Sequence, residues 1–475
     1  MITEWYRSPK TRNIPHMLHS ATKSFVGTAV GMAVSEDLLS LDSALIDLLP
    51  ETHDLMDRPA AFSRLTIRDL LTMRTGHERG TSGVVWRTLE SSWVDAYLKE
   101  PITGTPGVDF IYSSGTSHML SVCLQNATGM TTEDFLADRL FRPLGFGELN
   151  WDRDPEGYSS GGNGLSIRTI DFAKWGQLHL NGGLWDGQRI LDQEWVEDAT
   201  KSHVEVGHST WTGSGYARSS MSGEDSESGL PNGRSSSSES GSPDDEGYGY
   251  QIWVRDGAFY ASGMFGQFCV VVPQADCVIA VNSSLDQTQS GVLARRIVEC
   301  VDEDDSVEFV PESRMDGRLI IDNIEHDTVP TSPTTARPEN DFSWLVGTYA
   351  TDDRTSVLSI QLDLDGPHPL LTVAGVDPAG ELDFSAGVDA DHAFTGELCG
   401  PVLHHSYTGE TPIVARAEST GPWSVMCTVN YLSSPFVDRY GFELDSDGSM
   451  TYSRSVNVNS QATELSGIRL LKVIP

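Results

Sequence analysis

Apolar residues recur at helical spacing through Phe25, Val26, Ala29, Val30 and Ala33, the stripe of an amphipathic helix that starts at about Ser20. The same spacing in Val292, Leu293, Ile297, Val298 and Val301 predicts a second helix near residues 290–302. Other helices are announced by their ends. Thr66 with Asp69 three positions on forms a capping box, with Gly76 as the predicted stop. Thr131 with Asp134 opens a helix that closes before Pro143, and a helix from Thr169 to Leu180 stops at Asn181-Gly182-Gly183. Strand patterns lie elsewhere. The run Phe268 to Val272 meets a turn at Pro273 and Asp276 and returns through Val278 to Val281. Leu358, Ile360, Leu362 and Leu364 alternate ahead of Asp365-Gly366, a hairpin signal.

These patterns divide the chain into three zones. Residues 1–302 mix helix-like and strand-like stretches, an α/β (α+β) reading. Residues 303–340 are acidic and rich in Pro, Thr and Ser, and read as a linker. Residues 341–475 read as all-β. Within the first zone, residues 213–247 form a low-complexity insert of Ser, Gly, Asp and Glu, predicted to be a disordered surface loop because it cannot bury enough apolar surface.

Charge narrows the function classes. Acidic residues number 68 against 32 basic ones, a net charge of -36, and only six of the bases are Lys. Such a surface repels nucleic acid and anionic membranes, so neither is an expected partner. Self-repulsion of this size is tolerable where salt shortens the screening length to about 3 Å at 1 M, which suggests a halophile's intracellular protein. The longest apolar runs, such as Val270 to Val272, fall far short of the roughly 20 residues of a membrane helix. The six Cys show no CxxC and no zinc spacing, and read as buried thiols; Cys269 and Cys277 flank a turn and are the one pair worth testing for a disulfide. The N-terminus lacks an export signal, so a cytoplasmic location is expected.

Three short motifs carry chemistry. The first is Ser20-Ala21-Thr22-Lys23 at a helix start. Positions three apart share a helix face, so Lys23 lies beside Ser20. Burial and the positive end of the helix dipole both disfavour the ammonium, and a neutral amine can take the Ser hydroxyl proton. The same helix start offers backbone N–H groups to an oxyanion. The plain alternative is Ser20 as an N-cap with Lys23 as a solvated charge. The second motif is Tyr112-Ser113-Ser114-Gly115. A phenol beside an ammonium loses its proton more readily and can act as acid or base, while Ser114 can bond Lys23 or substrate. An ordinary buried Tyr before a helix is the alternative. The third is Ala261-Ser262-Gly263-Met264, leading into a strand, where small residues let a substrate lie along the sheet edge; a glycine bulge is the alternative.

Taken together, their order, spacing and settings resemble the serine β-lactamase and penicillin-binding-protein superfamily. The likeness is nearest to class C β-lactamases, D-aminopeptidases, family VIII-type esterases and 6-aminohexanoate-dimer hydrolases. Flanking stretches share it, among them Phe141-Arg-Pro-Leu-Gly145, Gly161-Gly-Asn-Gly-Leu165 and Tyr248-Gly-Tyr250. The resemblance implies a β-lactamase-like sandwich, an antiparallel sheet flanked by helices, over residues 1–302. It also implies a C-terminal lipocalin-like β-barrel opening at Phe342-Ser-Trp-Leu-Val-Gly-Thr-Tyr349. By the same resemblance Ser20 attacks a carbonyl, Lys23 assists its deprotonation, and Tyr112 relays the proton to the leaving group and then activates water. The N–H groups of Ser20 and Met264 hold the oxyanion, with Ser114, Ser262 and Gly263 lining the substrate. A covalent acyl-enzyme follows, and no metal or cofactor is implied.

Two departures from the family pattern matter. The third motif usually opens with Lys or His, and here it opens with Ala261. The absence of that cation favours a small neutral ester or amide as substrate, with a D,D-peptidase or β-lactamase as an alternative. Only 19 residues precede Ser20, so the N-terminal strands of the sheet are expected to be incomplete, with Glu4-Trp-Tyr6 as the tail of one. A rival esterase reading rests on Gly157-Tyr-Ser159-Ser-Gly161, but no buried strand precedes it. A further rival is a catalytically silent scaffold that binds a ligand or partner. His404-His405 reads as surface loop. The oligomeric state is not legible.

Overall fold

A computed structural model describes residues 3–49, 62–81, 89–206, 246–255, 257–302, 342–365, 368–388, 394–398, 411–458 and 463–473. Among them the α-helices are α1 (Thr22–Ser35), α2 (Ile67–Leu71), α3 (Trp93–Lys99), α4 (Ser114–Thr128), α5 (Thr132–Leu136), α6 (Thr169–Leu180), α7 (Gln193–Ala199) and α8 (Gln287–Asp302). Both expected caps form. The Thr66 hydroxyl accepts from the Asp69 N–H while the Asp69 carboxylate accepts from the Thr66 N–H, and the Thr131 hydroxyl accepts from the Asp134 N–H. The α2 stop differs from expectation. The helix ends at Leu71, Met73 enters the left-handed region at φ 56°, and Gly76 belongs to a later turn.

A six-stranded antiparallel sheet organises this half, in the order Cys277–Asn282, Gln267–Val272, Ala258–Gly263, Trp253–Arg255, Glu246–Tyr248, Val204–Glu205. Its central strands read apolar on both faces because helices cover both. Phe259, Ala261, Cys269 and Val271 join the core with Phe25 of α1 and Trp175 of α6. The alternate set, Tyr260, Phe268, Val270 and Val272, packs on Ala294 and Val298 of α8. That period of two is the strand pleat, and it sandwiches the sheet between layers.

Several expectations need correction. Glu246–Tyr248 is a strand, so the last two residues of the expected 213–247 insert belong to the sheet; residues 213–245 lie outside the described residues, as do 303–340 and His404-His405. Cys269 and Cys277 pair in register with Ala280 and Val272, not with each other, and both are free thiols. Residues 4–6 lie outside any strand, and Glu4 instead meets Arg12 at 2.7 Å. Among the described residues no helix is long and apolar enough to cross a membrane.

The C-terminal region is a closed nine-stranded β-barrel. From Gly380–Gly387 the strands pair back to Gly347–Ala350, which meets the last strand, Glu464–Lys472, and on to Thr411–Gly421, where Gly387 opposite Arg416 closes the ring. Leu358 and Ile360 of Val357–Asp363 point into its core as the alternation predicts, whereas Leu364 lies beyond the strand end and is exposed.

The barrel seats on the first half beside Ser20. Met17 donates its N–H to Ser433 O at 2.8 Å. The Lys10 amine donates to Tyr431 O (3.1 Å), Leu432 O (3.3 Å) and Ser434 O. Phe436 of the barrel lies edge-on to His19 at 6.1 Å and to Phe265 at 5.6 Å.

Candidate active site

Ser20 sits in the one-turn 3-10 helix His19–Ala21 that runs straight into α1. His19 holds φ 49°, a conformation costing on the order of 1–3 kcal/mol, and this kink turns the chain into the helix at Ser20. Lys23 follows one turn later. Its amine lies 3.0 Å from Ser20 Oγ, 3.2 Å from Ser114 Oγ and 2.6 Å from Gly162 O. Lys23 is only 1% exposed, and burial lowers its pKa from 10.5 to about 7.

Ser114 is the first residue of α4, whose N-cap Ser113 accepts from the Thr116 N–H. A second cap comes from Thr81. Its hydroxyl meets Ser113 Oγ at 2.9 Å and accepts the Gly115 N–H at 2.9 Å, and its carbonyl accepts the Ser114 N–H at 3.0 Å. A Cβ on the neighbouring Gly80 would stand 1.9 Å from Tyr112 O, so the 80–81 segment approaches that closely only because residue 80 is Gly. The Tyr112 ring faces the Lys23 amine, which stands 4.9 Å from its centroid. On its other sides the ring meets Trp253 at 5.4 Å and Tyr248 at 6.2 Å.

The third motif meets the same centre. The ladder to Trp253–Arg255 stops at Tyr260, so residues 261–263 pair only with Gln267–Val272. A Cβ on Gly263 would lie 2.0 Å from Leu18 O, so glycine there lets the strand end abut the Ser20 turn. Met264 follows in the connecting turn, where Phe265 stands 5.4 Å from His19 and adopts φ 63°. Ala261 faces α1. Ser262 pairs with Phe268 and alternates to the α8 face with Tyr260.

Ser20, Lys23, Tyr112 and Ser114 thus converge, with Gly263 at the adjoining strand end and Met264 in the turn that follows. Ser262 projects away from the α1 face. Ser159 is fully buried, its hydroxyl accepts the Glu133 N–H at 3.4 Å and its carbonyl accepts from the Ser121 hydroxyl at 2.8 Å, a structural placement rather than an exposed elbow.

Sequence reasoning missed two supports. Gly162 supplies Lys23 with a carbonyl; in sequence the stretch Gly161-Gly-Asn-Gly-Leu165 stands out only for its family likeness, with no role for its backbone. Gln251, at φ 60°, accepts from Ser117 Oγ at 2.5 Å and from Ser24 Oγ through its carbonyl at 2.7 Å, and donates to Leu70 O and Leu71 O. It staples α1, α2 and α4 together behind the site.

A helix start bearing a serine and a buried lysine, closed by a tyrosine loop and a sheet edge, is the arrangement of a hydrolase fold. The beta-lactamase family model matches residues 3–302, and the chain belongs to the beta-lactamase family. The chain is 24% identical over 304 residues to a 6-aminohexanoate-dimer hydrolase of Paenarthrobacter ureafaciens, covering 60% of this chain and 70% of that protein. It is 27% identical over 194 residues to an uncharacterized protein of Alkalihalophilus pseudofirmus, covering 37% of this chain and 51%, about half, of that relative. Among solved structures, the octameric penicillin-binding protein homologue from Pyrococcus abyssi aligns at 15% identity and TM-score 0.45, over 98% of this chain and 90% of that one.

Proposed function

We propose that this chain is a serine hydrolase that cleaves a small neutral ester or amide through an acyl-enzyme on Ser20. One observation carries the reading: a fully buried amine, with a pKa of about 7, lies 3.0 Å from a half-buried serine hydroxyl. A neutral amine has two N–H bonds and one lone pair. Ser114 Oγ and Gly162 O take the two hydrogens, which leaves the lone pair for the Ser20 proton. As that proton moves to Lys23, Oγ bonds to the substrate carbonyl carbon and its oxygen gains the negative charge. The N–H groups of Ser20 and Met264, on adjoining turns, hold that oxyanion. The Tyr112 hydroxyl passes a proton to the departing alcohol or amine. Water then reverses the steps and frees the acid.

Ala261 stands where the superfamily's third motif usually has a cation, so no cation at that position grips a substrate carboxylate. That favours a neutral substrate over a β-lactam or a D,D-peptide. The relative named as a 6-aminohexanoate-dimer hydrolase is in keeping with small-molecule hydrolysis. A screen of short-chain esters, D-amino-acid amides and nitrocefin in high salt, with Ser20→Ala as control, tests the substrate class. Fluorophosphonate labelling followed by peptide mapping tests the nucleophile. An adduct on Ser20 is expected; an adduct on Ser159 overturns the reading in favour of the rival esterase, and none at working salt in favour of a silent scaffold.

A further inference from the structure

Behind the Lys23 amine lies an ionisable pair that the mechanism above does not use. His118 and Asp154 are both buried, and His118 Nε2 stands 3.1 Å from Asp154 Oδ2. The other carboxylate oxygen, Oδ1, accepts the N–H groups of Glu156 at 2.9 Å and Tyr158 at 2.8 Å, which pins the carboxylate in its turn. The Gly161 N–H donates to Nδ1 at 3.4 Å, so Nδ1 carries no hydrogen and the ring hydrogen sits on Nε2, toward Asp154 Oδ2.

That peptide is wedged against α4. A Cβ on Gly161 would lie 2.4 Å from Ser117 O, and one on Gly162 would lie 2.6 Å from Ser114 O. Gly162 O, the carbonyl 2.6 Å from Lys23, lies two peptide units beyond the Gly161 N–H, and the two glycines between them are held against α4 at both positions. His118 stands one turn beyond Ser114 on the same helix, so a single face of α4 supplies Lys23 with a direct partner and with the support of its second one.

We propose that His118, held in one tautomer by Asp154, is a positioning residue for Lys23: it fixes the 161–162 backbone so that the Gly162 carbonyl takes one amine hydrogen. The proposal rests on the serine-hydrolase reading of the Ser20 site.

Asp154→Asn separates this role from general support of the core. The two backbone N–H donors hold the amide oxygen in the Oδ1 place, which turns the NH2 toward His118. The imidazole must then accept at Nε2 and carry its hydrogen on Nδ1, donor against donor at Gly161. We expect kcat to fall about 10- to 100-fold with KM within about twofold, since a small displacement of a reacting group costs that much. His118→Phe, which keeps a ring but loses both bonds, is expected to do the same. The acid limb of the kcat profile should also move to lower pH in both variants. The groups facing the Lys23 amine are the Ser20 and Ser114 hydroxyls, the Gly162 carbonyl and the titratable Tyr112 ring, and loss of the carbonyl dipole disfavours the ammonium. A merely structural role lowers the melting temperature without moving that limb, and that result overturns the proposal. So does an unchanged kcat in both variants while Ser20→Ala is inactive. Turnover surviving in Ser20→Ala defeats the hydrolase reading itself. Should either variant fail to fold, imidazole nitrogen shifts from NMR of the wild-type chain decide the matter: hydrogen on Nε2 of His118 supports it, and hydrogen on Nδ1 overturns it.

Discussion

The Lys23 amine lies 3.0 Å from the Ser20 hydroxyl, and the two sit in different surroundings: the amine is enclosed by protein, whereas the hydroxyl is only half-covered. Under the proposed acyl transfer this pairs a dry base with a less enclosed nucleophile.

Ser20→Ala is therefore expected to abolish turnover, and Lys23→Ala to lower kcat by at least about 10³-fold, with both proteins folded. Steady-state rates on the best ester from the screen, alongside circular dichroism, check this. A loss below about tenfold in Lys23→Ala removes Lys23 from the proton path.

The activity should rise with pH through about 7, as Lys23 loses its proton, and then level. A rate that is flat across neutrality, or falls there, contradicts a neutral Lys23 as base.

Stability should climb with pH over part of the same range. Lys23 and Lys10 each titrate near about 7 in the folded chain and at 10.5 when unperturbed. Between those values the unfolded chain binds more protons than the folded one, so the free energy of unfolding increases with pH; below about 7 the full cost of the buried cations remains. Urea titrations at pH 7 and 9 should show a smaller rise in Lys23→Met than in the parent chain. Equal rises would mean that Lys23 is charged in the fold.

Gly263→Ala should destabilise the protein by about 1–3 kcal/mol. The clash is with a carbonyl, Leu18 O, that no side-chain rotation relieves. Thermal melting reads the loss, and a parallel fall in kcat is expected because the Met264 turn shifts against Ser20. An unchanged melting temperature would show that the strand end is free to give.

The melting temperature should increase with salt between about 0.1 M and about 1 M, as screening shortens from roughly 10 Å to 3 Å over a chain of net charge -36. A melting temperature independent of salt contradicts the halophilic reading.

Much of this site was legible in one dimension because helix periodicity is local. The stripe from Phe25 to Ala33 and the three-residue step from Ser20 to Lys23 required no tertiary information, and the Thr66 and Thr131 caps are contacts within a single turn. The supports of the site were not legible, because they join residues far apart. The Gly162 carbonyl reaches Lys23 across 139 positions, and Gln251 reaches Ser117 across 134. A glycine pair signals close approach without naming what it approaches. The Gly76 misreading has the same origin: a left-handed Met73 ended α2 early, where composition offered a later glycine.

The barrel's seat has a consequence for how the protein can be divided. His19 and Phe265 flank the proposed nucleophile and oxyanion turns, and both are almost wholly shielded, with Phe436 of the barrel against each ring. Excising the barrel would wet those rings and strip the Lys10 amine of its three carbonyl acceptors. A trimmed chain is thus a differently solvated catalyst, and its rates would not report those of the intact one.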